Sequence, residues 1–511
     1  MEMNLARRNQ KAPAASPAGT ASSFGDGAVS GAAVMIAAKT AGFALTFGAM
    51  AIVARTLTPH DYGLVAMVTS VMTFFIVFSD FGLTLLTVQR PTLSDDQLST
   101  LFWANLGIGL LLGMVTAAIA PLLVWFFGDP QLLGIGLVTA LFFPLASLGA
   151  QHQAILKRRM MFRRLALVRL TGACAGPIAA VALALSGLGH WALVGQFLVC
   201  TGITSVAAWG AIPWRPMRPK GCDDLRSFLG FGGALTGHGI IGYFANNLDN
   251  VLLGKFAGAA ELGFYNTSYH LMMRPISLAG YGVGETAIPA MSHAKTPEAM
   301  QATFRRMFSL SCLLGLPVCA AGAWWADDIV WAVLGEQWLP AIPVLRILFI
   351  AAAARMLSTA TGWVYVATGR PGRMLRWQIL WTPLAVLAFL LGLPFGAVGV
   401  AAAYAVALWV AMVPGFLFCF HGTGLRLTDT IQAGGRPLAC TLAATAFAVA
   451  VQAALFPHMP PGLLRLVCRT AVATGSYAVF AATLVPLAGE CFHEGLAWVR
   501  RLAAAHGHVV T

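Results

Sequence analysis

The chain has 511 residues, of which 58% are hydrophobic and 10% charged, where soluble proteins carry about 25% charged residues. So few charges cannot cover the surface of a water-soluble domain of this size, and 54 glycines with a mean hydropathy of +0.76 suit closely packed membrane helices. The composition indicates an all-α, polytopic membrane protein and excludes a large soluble catalytic domain.

Residues 1–28 carry Arg7, Arg8 and Lys11 and then run through Ala, Pro, Ser and Gly. The apolar stretch behind them is too long for the core of a signal peptide and lacks a cleavage site, so a disordered cytoplasmic tail is expected. Apolar windows then predict helices over 29–53, 64–88, 99–127, 131–155, 165–186, 191–212, 230–253, 263–288, 307–325, 341–367, 377–393, 396–420, 437–456 and 464–487, about fourteen spans. They divide into a six-helix bundle over 29–212, a cytoplasmic linker over 213–229, a second six-helix bundle over 230–420 and two appended helices within 421–487. In the tail at 488–511, the stretch from Leu496 to Ala505 with Arg500 and Arg501 reads either as an interfacial helix or as a solvated end.

The formal charge of +13 is explained by where the cations fall. With the amino terminus inside, the inner connections hold Arg90, Lys157 to Arg164, Arg215 to Arg226, Lys295 to Arg306, Arg370 to Arg376, Arg426, Arg436, Arg500 and Arg501, whereas the outer ones hold only Arg55, Lys255 and Arg465. This follows the positive-inside rule and places both termini in the cytoplasm. The excess charge faces anionic headgroups, and no nucleic-acid partner is expected. The nine cysteines form no CxxC or Cys/His cluster and no HxxxH or HxH pair lies in a span, so neither a disulfide framework, a metal nor another cofactor is indicated.

An internal repeat joins the ends of the first and seventh spans. Arg55, Asp61 and Gly63 are followed 200 positions later by Lys255, Glu261 and Gly263. The same charge, spacing and topological place suggest two pseudo-repeated bundles with a site between them, a transporter architecture.

Longer strings extend the pattern. Ala54-Arg55, Leu57-Thr58-Pro59 and Asp61-Tyr62-Gly63-Leu64-Val65-Ala66-Met67 follow the first span, with Ser79-Asp80-Phe81-Gly82-Leu83 in the second. Gln89-Arg90, Phe102-Trp103 with Asn105, Lys157-Arg158-Arg159 before Phe162, and Gly187 with Gly189 before Trp191-Ala192-Leu193-Val194 come next. The second half carries Leu248-Asp249, Leu253-Gly254, Leu262-Gly263-Phe264-Tyr265-Asn266 and Ile288-Pro289-Ala290-Met291-Ser292. In order and placement these resemble the Wzx-type oligosaccharide flippases of the multidrug, oligosaccharidyl-lipid and polysaccharide exporter superfamily. His60 stands where much of that family has an acid, and beyond about residue 300 the likeness is one of hydropathy. The resemblance implies a non-enzymatic flippase in the bacterial inner membrane. Its substrate would be undecaprenyl-pyrophosphate-linked oligosaccharide for exopolysaccharide, capsule or lipopolysaccharide, and its partners membrane lipid with a polysaccharide polymerase and other assembly proteins.

A pyrophosphate and its sugars cannot cross about 30 Å of hydrocarbon unaided, so a hydrated, cationic cavity is required. Lys39, Arg274 and Arg355 lie deep in the first, eighth and tenth spans and are the candidate substrate-binding cations. Arg169, Arg346 and Arg469 lie about a turn from helix ends, where their heads reach the headgroups. Asp80, Asp249 and Glu285 are candidate gating or coupling acids; Asp80 and Asp249 read equally well as structural groups that pair with a neighbouring helix or cap a break. Arg274 and Glu285 share one face of the eighth span. A multidrug exporter of the same superfamily is the main alternative function, although midplane cations oppose it. A polyprenyl-dependent glycosyltransferase or polymerase is a further alternative, opposed by the shortness of the outer segment 326–340 with Asp327, Asp328 and Glu336.

Overall fold

The computed structural model describes Gly42 and residues 45–484, apart from 80–81, 91–92, 219–239, 241, 245–246, 456–458 and 460–461. Both tails, most of the first predicted span with Lys39, and Asp80 lie outside the described residues. Every regular element among the described residues is helical.

The first half opens with α1 (Leu45–Thr56) and a short turn into α2 (Pro59–Ile76). Thr58 starts α2 with a capping box: its hydroxyl accepts from Asp61 N, and the Asp61 carboxylate accepts from Thr58 N at 3.0 Å. Pro59 takes the first helical position, where its missing N–H costs nothing. The window predicted as one span over 64–88 is broken, because Gly82 at φ 70 separates α2 from α3 (Leu83–Gln89). Ser94 and Gln97 cap α4 (Asp95–Phe127) as Thr58 and Asp61 cap α2. Then follow α5 (Gln131–Thr139), α6 (Phe142–Arg158), α7 (Phe162–Leu185) and α8 (Trp191–Ala211). Small residues let α7 and α8 meet backbone to backbone: a Cβ on Gly172 would lie 2.6 Å from Cys200 O.

The second half comprises α9 (247–256), α10 (Ala259–Ser292), α11 (Pro297–Trp324), the short α12 (Ala326–Ile329), α13 (Ala341–Ala367), α14 (Pro371–Gly392) and α15 (Gly396–Phe420). Two further helices, α16 (Leu427–Leu455) and α17 (Leu463–Leu484), follow. Among the described residues nine helical stretches are long and apolar enough to cross a membrane. With its 34 residues α10 is not one of them, since Glu261, His270, Arg274 and Glu285 are spread along it. Polarity on so long a helix marks it as lining the interior of the bundle.

The outer surface is that of a protein solvated by lipid. Trp125 and Phe395 are each 77% exposed, and Val206, Leu185 and Leu391 are similarly open; in water such apolar area would drive association. The largest buried cluster joins Leu64, Met67 and Met72 of α2 to Leu262 and Met272 of α10 and Leu345 and Leu348 of α13. The contact between α2 and α10 therefore runs through the centre of the molecule.

Ion pairs fasten α16 and α17 to the second half. Arg305 of α11 donates through Nε to Asp429 of α16 at 2.8 Å. Arg465 of α17 lies 2.8 Å from Asp327 and 2.6 Å from Asp328, and Arg469 pairs with Asp328, whose side chain is fully buried. Arg469, one turn from a helix end, thus has a carboxylate of the α11–α13 connection within reach.

Candidate functional site: an arginine held by tyrosines beside a cavity

Arg355 sits at the middle of α13, and its Nη1 donates to Tyr269 Oη at 2.8 Å and to Tyr404 Oη at 3.0 Å. Tyr269 comes from α10 and Tyr404 from α15, so three helices converge on one guanidinium. One turn earlier on α10, Tyr265 lies nearly parallel to Tyr269 with ring centroids 6.4 Å apart, and its hydroxyl donates to Asp249 Oδ2 of α9 at 2.8 Å. Asp249 Oδ1 accepts from Asn250 N at 2.9 Å, and the carboxylate is almost wholly buried. Phenol oxygens are neutral acceptors. They therefore fix the direction of the Arg355 cation without cancelling its charge.

Beside Arg355 is a cavity of about 320 Å³, whose lining includes Arg355, Glu285, Ser277, Ser311, Thr359 and Trp363. A fixed cation, a carboxylate and several hydroxyls around one space can hold an anionic, hydroxyl-rich ligand. Arginine suits phosphate oxygens because its planar fork donates two parallel bonds.

The predicted residues thus separate into groups. Arg355 and Glu285 share the cavity, and Asp249 joins the same tyrosine cluster. Arg274 lies elsewhere, with Nη1 3.0 Å from Met50 Sδ of α1. The four repeat residues gather at one end of the bundle and make ties between helices. Arg55 Nη2 donates to Ala332 O at 2.6 Å. Lys255 Nζ donates to Phe126 O and sits 5.0 Å over the Phe126 ring. Asp61, besides capping α2, lies 3.5 Å from His190 Nδ1 at the start of α8, and Glu261 Oε2 accepts from Ala397 N at the start of α15 at 2.9 Å. At this same end α2 and α10 approach so closely that a Cβ on Gly63 would lie 1.7 Å from Ala259 O and one on Gly263 1.9 Å from Pro59 O.

Tyr269, Tyr404 and Trp363 escaped the sequence reading. A signal for the first existed: the chain has only 8 tyrosines, and Tyr265 and Tyr269 fall four apart on one face of the most polar long helix.

Residues 52–343, more than half of the chain, match the family described as "Polysaccharide biosynthesis protein". The chain is 25% identical over 309 residues to "Teichuronic acid biosynthesis protein TuaB" of Bacillus subtilis (strain 168), covering 60% of this chain and 64%, just under two thirds, of that relative. It is 24% identical to "Lipopolysaccharide biosynthesis protein WzxC" of Escherichia coli (strain K12), over 69% of this chain and 72% of the relative. With "Succinoglycan biosynthesis transport protein ExoT" of Rhizobium meliloti (strain 1021) the identity is 23% over 87% and 90% of the two chains. Among solved structures, "Lipid II flippase MurJ, inward closed conformation" superposes with a TM-score of 0.71 at 12% identity, covering 88% of this chain and 98% of that one. An inward-facing MATE-family multidrug transporter of the MOP superfamily gives 0.64 at 14% identity over 74% and 94%. At such identities the two structures speak for the fold alone, a polytopic helical one. The match over 52–343, which takes in both repeat motifs, Asp249, Tyr265 and Tyr269, shows that this chain belongs to the polysaccharide biosynthesis protein family.

Proposed function

We propose that the protein is a flippase that moves undecaprenyl-pyrophosphate-linked oligosaccharide units across the bacterial inner membrane by alternating access, supplying exopolysaccharide, capsule or lipopolysaccharide assembly. The observation that carries this reading is Arg355, a cation at mid-helix held by Tyr269 and Tyr404 on the wall of a cavity that it shares with Glu285 and three hydroxyls. The pyrophosphate binds the cationic wall, the sugars meet Glu285 and the hydroxyls, and the polyprenyl chain stays in lipid. Arg274 and Lys39 act as further cations along the path, while Asp249, Glu285 and Asp80 balance charge in the empty cavity and serve as gating or coupling acids. The bundles over 29–212 and 230–420 move against each other, both termini face the cytoplasm, and a polymerase receives the delivered units. No covalent step is needed. The acids of the 326–340 segment, which an enzyme would use, include Asp327 and Asp328, and both are engaged by arginines.

Binding to the purified protein tests the anionic ligand class. Undecaprenyl pyrophosphate should bind more tightly than undecaprenol by about tenfold or more, the worth of one charge-assisted hydrogen bond, and Arg274→Gln should narrow that gap. Native mass spectrometry or a competition assay reads both. Preference for a lipophilic cation such as rhodamine 6G would instead favour the multidrug exporter.

A further inference from the structure

The contacts at the Arg55 end repeat with the period of the sequence. Arg55, which ends the first helix of the first half, reaches Ala332 O in the connection between α11 and α13 of the second half. Lys255, which ends the first helix of the second half, reaches Phe126 O at the end of α4, beside the corresponding connection in the first half. Each cation therefore crosses to the opposite half and ties itself to a backbone carbonyl, Phe126 O in the last turn of α4 and Ala332 O just beyond α11, similar places that are six positions out of the 200-residue register. The glycine contacts are exchanged in the same way: Gly63 meets Ala259, and Gly263 meets Pro59, both residues of each pair displaced by 200 positions from those of the other. Around them, Gln337 Nε2 and Trp338 Nε1 donate to Ala54 O at 2.6 and 2.8 Å, while a Cβ on Gly254, the residue 200 positions after Ala54, would lie 3.0 Å from the Phe127 ring. Within each half, the acid of the repeat lies at the start of a later helix, Asp61 beside His190 and Glu261 on Ala397 N.

We infer that these pairs form one two-fold clasp, the outer gate of the transport path, and that it opens by breaking the Arg55–Ala332 and Lys255–Phe126 ties together while α2 separates from α10. The inference rests on the alternating-access reading but concerns a different part of the molecule. Ser277, which lines the cavity, lies fourteen residues beyond Gly263 on α10, about 20 Å along the helix axis. Cations suit this duty because both ties are exposed to solvent, so water readily replaces each bond once the end opens. The glycines are required because any side chain at 63 or 263 would collide with backbone that cannot yield unless the two helices part.

The test uses the full chain with its nine native cysteines replaced, a single Ser277→Cys reporter, and a membrane-impermeant maleimide added from outside. Labelling should be slow in the parent. Arg55→Gln and Lys255→Gln should each raise it about threefold, the ratio corresponding to one solvent-exposed hydrogen bond, with a further rise in the double variant. Gly63→Ala and Gly263→Ala should each raise it as well. Arg55→Lys, which keeps a donor and a charge, should stay near the parent and show that the effect is not misfolding. A folded double Gln variant labelled at the parental rate, or a rise produced by only one of Arg55→Gln and Lys255→Gln, would overturn the clasp. The readout needs no substrate, so accessible Ser277→Cys without any transport of a lipid-linked saccharide would sustain the gate and defeat the functional reading.

Discussion

Arg355→Gln is expected to lower transport of a pyrophosphate-linked oligosaccharide by about a hundredfold or more while leaving the protein folded. Two charge-assisted hydrogen bonds to a phosphate, at about 1.5–3 kcal/mol each, set this scale. Glutamine is shorter by two heavy atoms but keeps the same first three carbons and an N–H donor and leaves no buried charge unpaired, so packing among α10, α13 and α15 should survive. What disappears is the charge and the planar fork. Arg355→Lys, which restores charge alone, should recover part of the activity. The double variant Tyr269→Phe with Tyr404→Phe keeps the cation but removes the two oxygens that aim it. It should weaken substrate affinity more than it weakens turnover at saturation, because a less firmly held guanidinium must be ordered again each time substrate enters. Initial rates measured over a range of substrate concentration, with melting temperatures in detergent alongside, separate these outcomes.

Asp328→Ala is expected to cause the largest loss of stability of any substitution at the junction of α17 with the second half, on the order of 3–5 kcal/mol, the usual cost of breaking a buried ion pair from one side. The Asp328 side chain is fully buried and receives both Arg465 and Arg469. Its removal leaves two guanidinium groups, 17% and 21% exposed, without their main counter-charge. Asp327→Ala should cost about 1 kcal/mol or less, because that carboxylate is 36% exposed and water replaces part of what the arginines lose. Limited proteolysis between α16 and α17 and denaturant titration in detergent read the difference. Equal losses in the two variants would mean that the buried pair does not anchor α17.

The helices and the broad architecture were legible because hydropathy over about twenty residues is set by the thickness of the bilayer. The break at Gly82 was less so: an apolar run reads the same whether continuous or kinked, and the left-handed residue that divides α2 from α3 is a single glycine among 54. Arg355 stood out by its depth, since a charge far from a helix end must have a reason, and Asp249 as an ionisable residue inside a span. Their partners did not, because residues 249, 265, 269, 355 and 404 meet only through the packing of four helices. Arg274, as deep as Arg355, turned out to face Met50 of α1, and no spacing rule separates the two arginines. The partner of Arg469 was hidden for a related reason: periodicity reports the height of a cation in the membrane, not which neighbouring helix brings a carboxylate. The repeat was visible as charge at equal spacing, and its meaning emerged from the reciprocal contacts that the paired residues make.

The central claim is tested most directly by reconstituting the purified protein into unilamellar vesicles containing an undecaprenyl-pyrophosphate-linked oligosaccharide and following its appearance in the opposite leaflet with an impermeant glycan-modifying enzyme. The account predicts that more than the half already exposed becomes accessible over time in vesicles carrying the protein, and that vesicles with Arg355→Gln behave like protein-free ones. Folded, correctly inserted protein that leaves the inner-leaflet pool untouched, or an Arg355→Gln variant that flips at the parental rate, would contradict it.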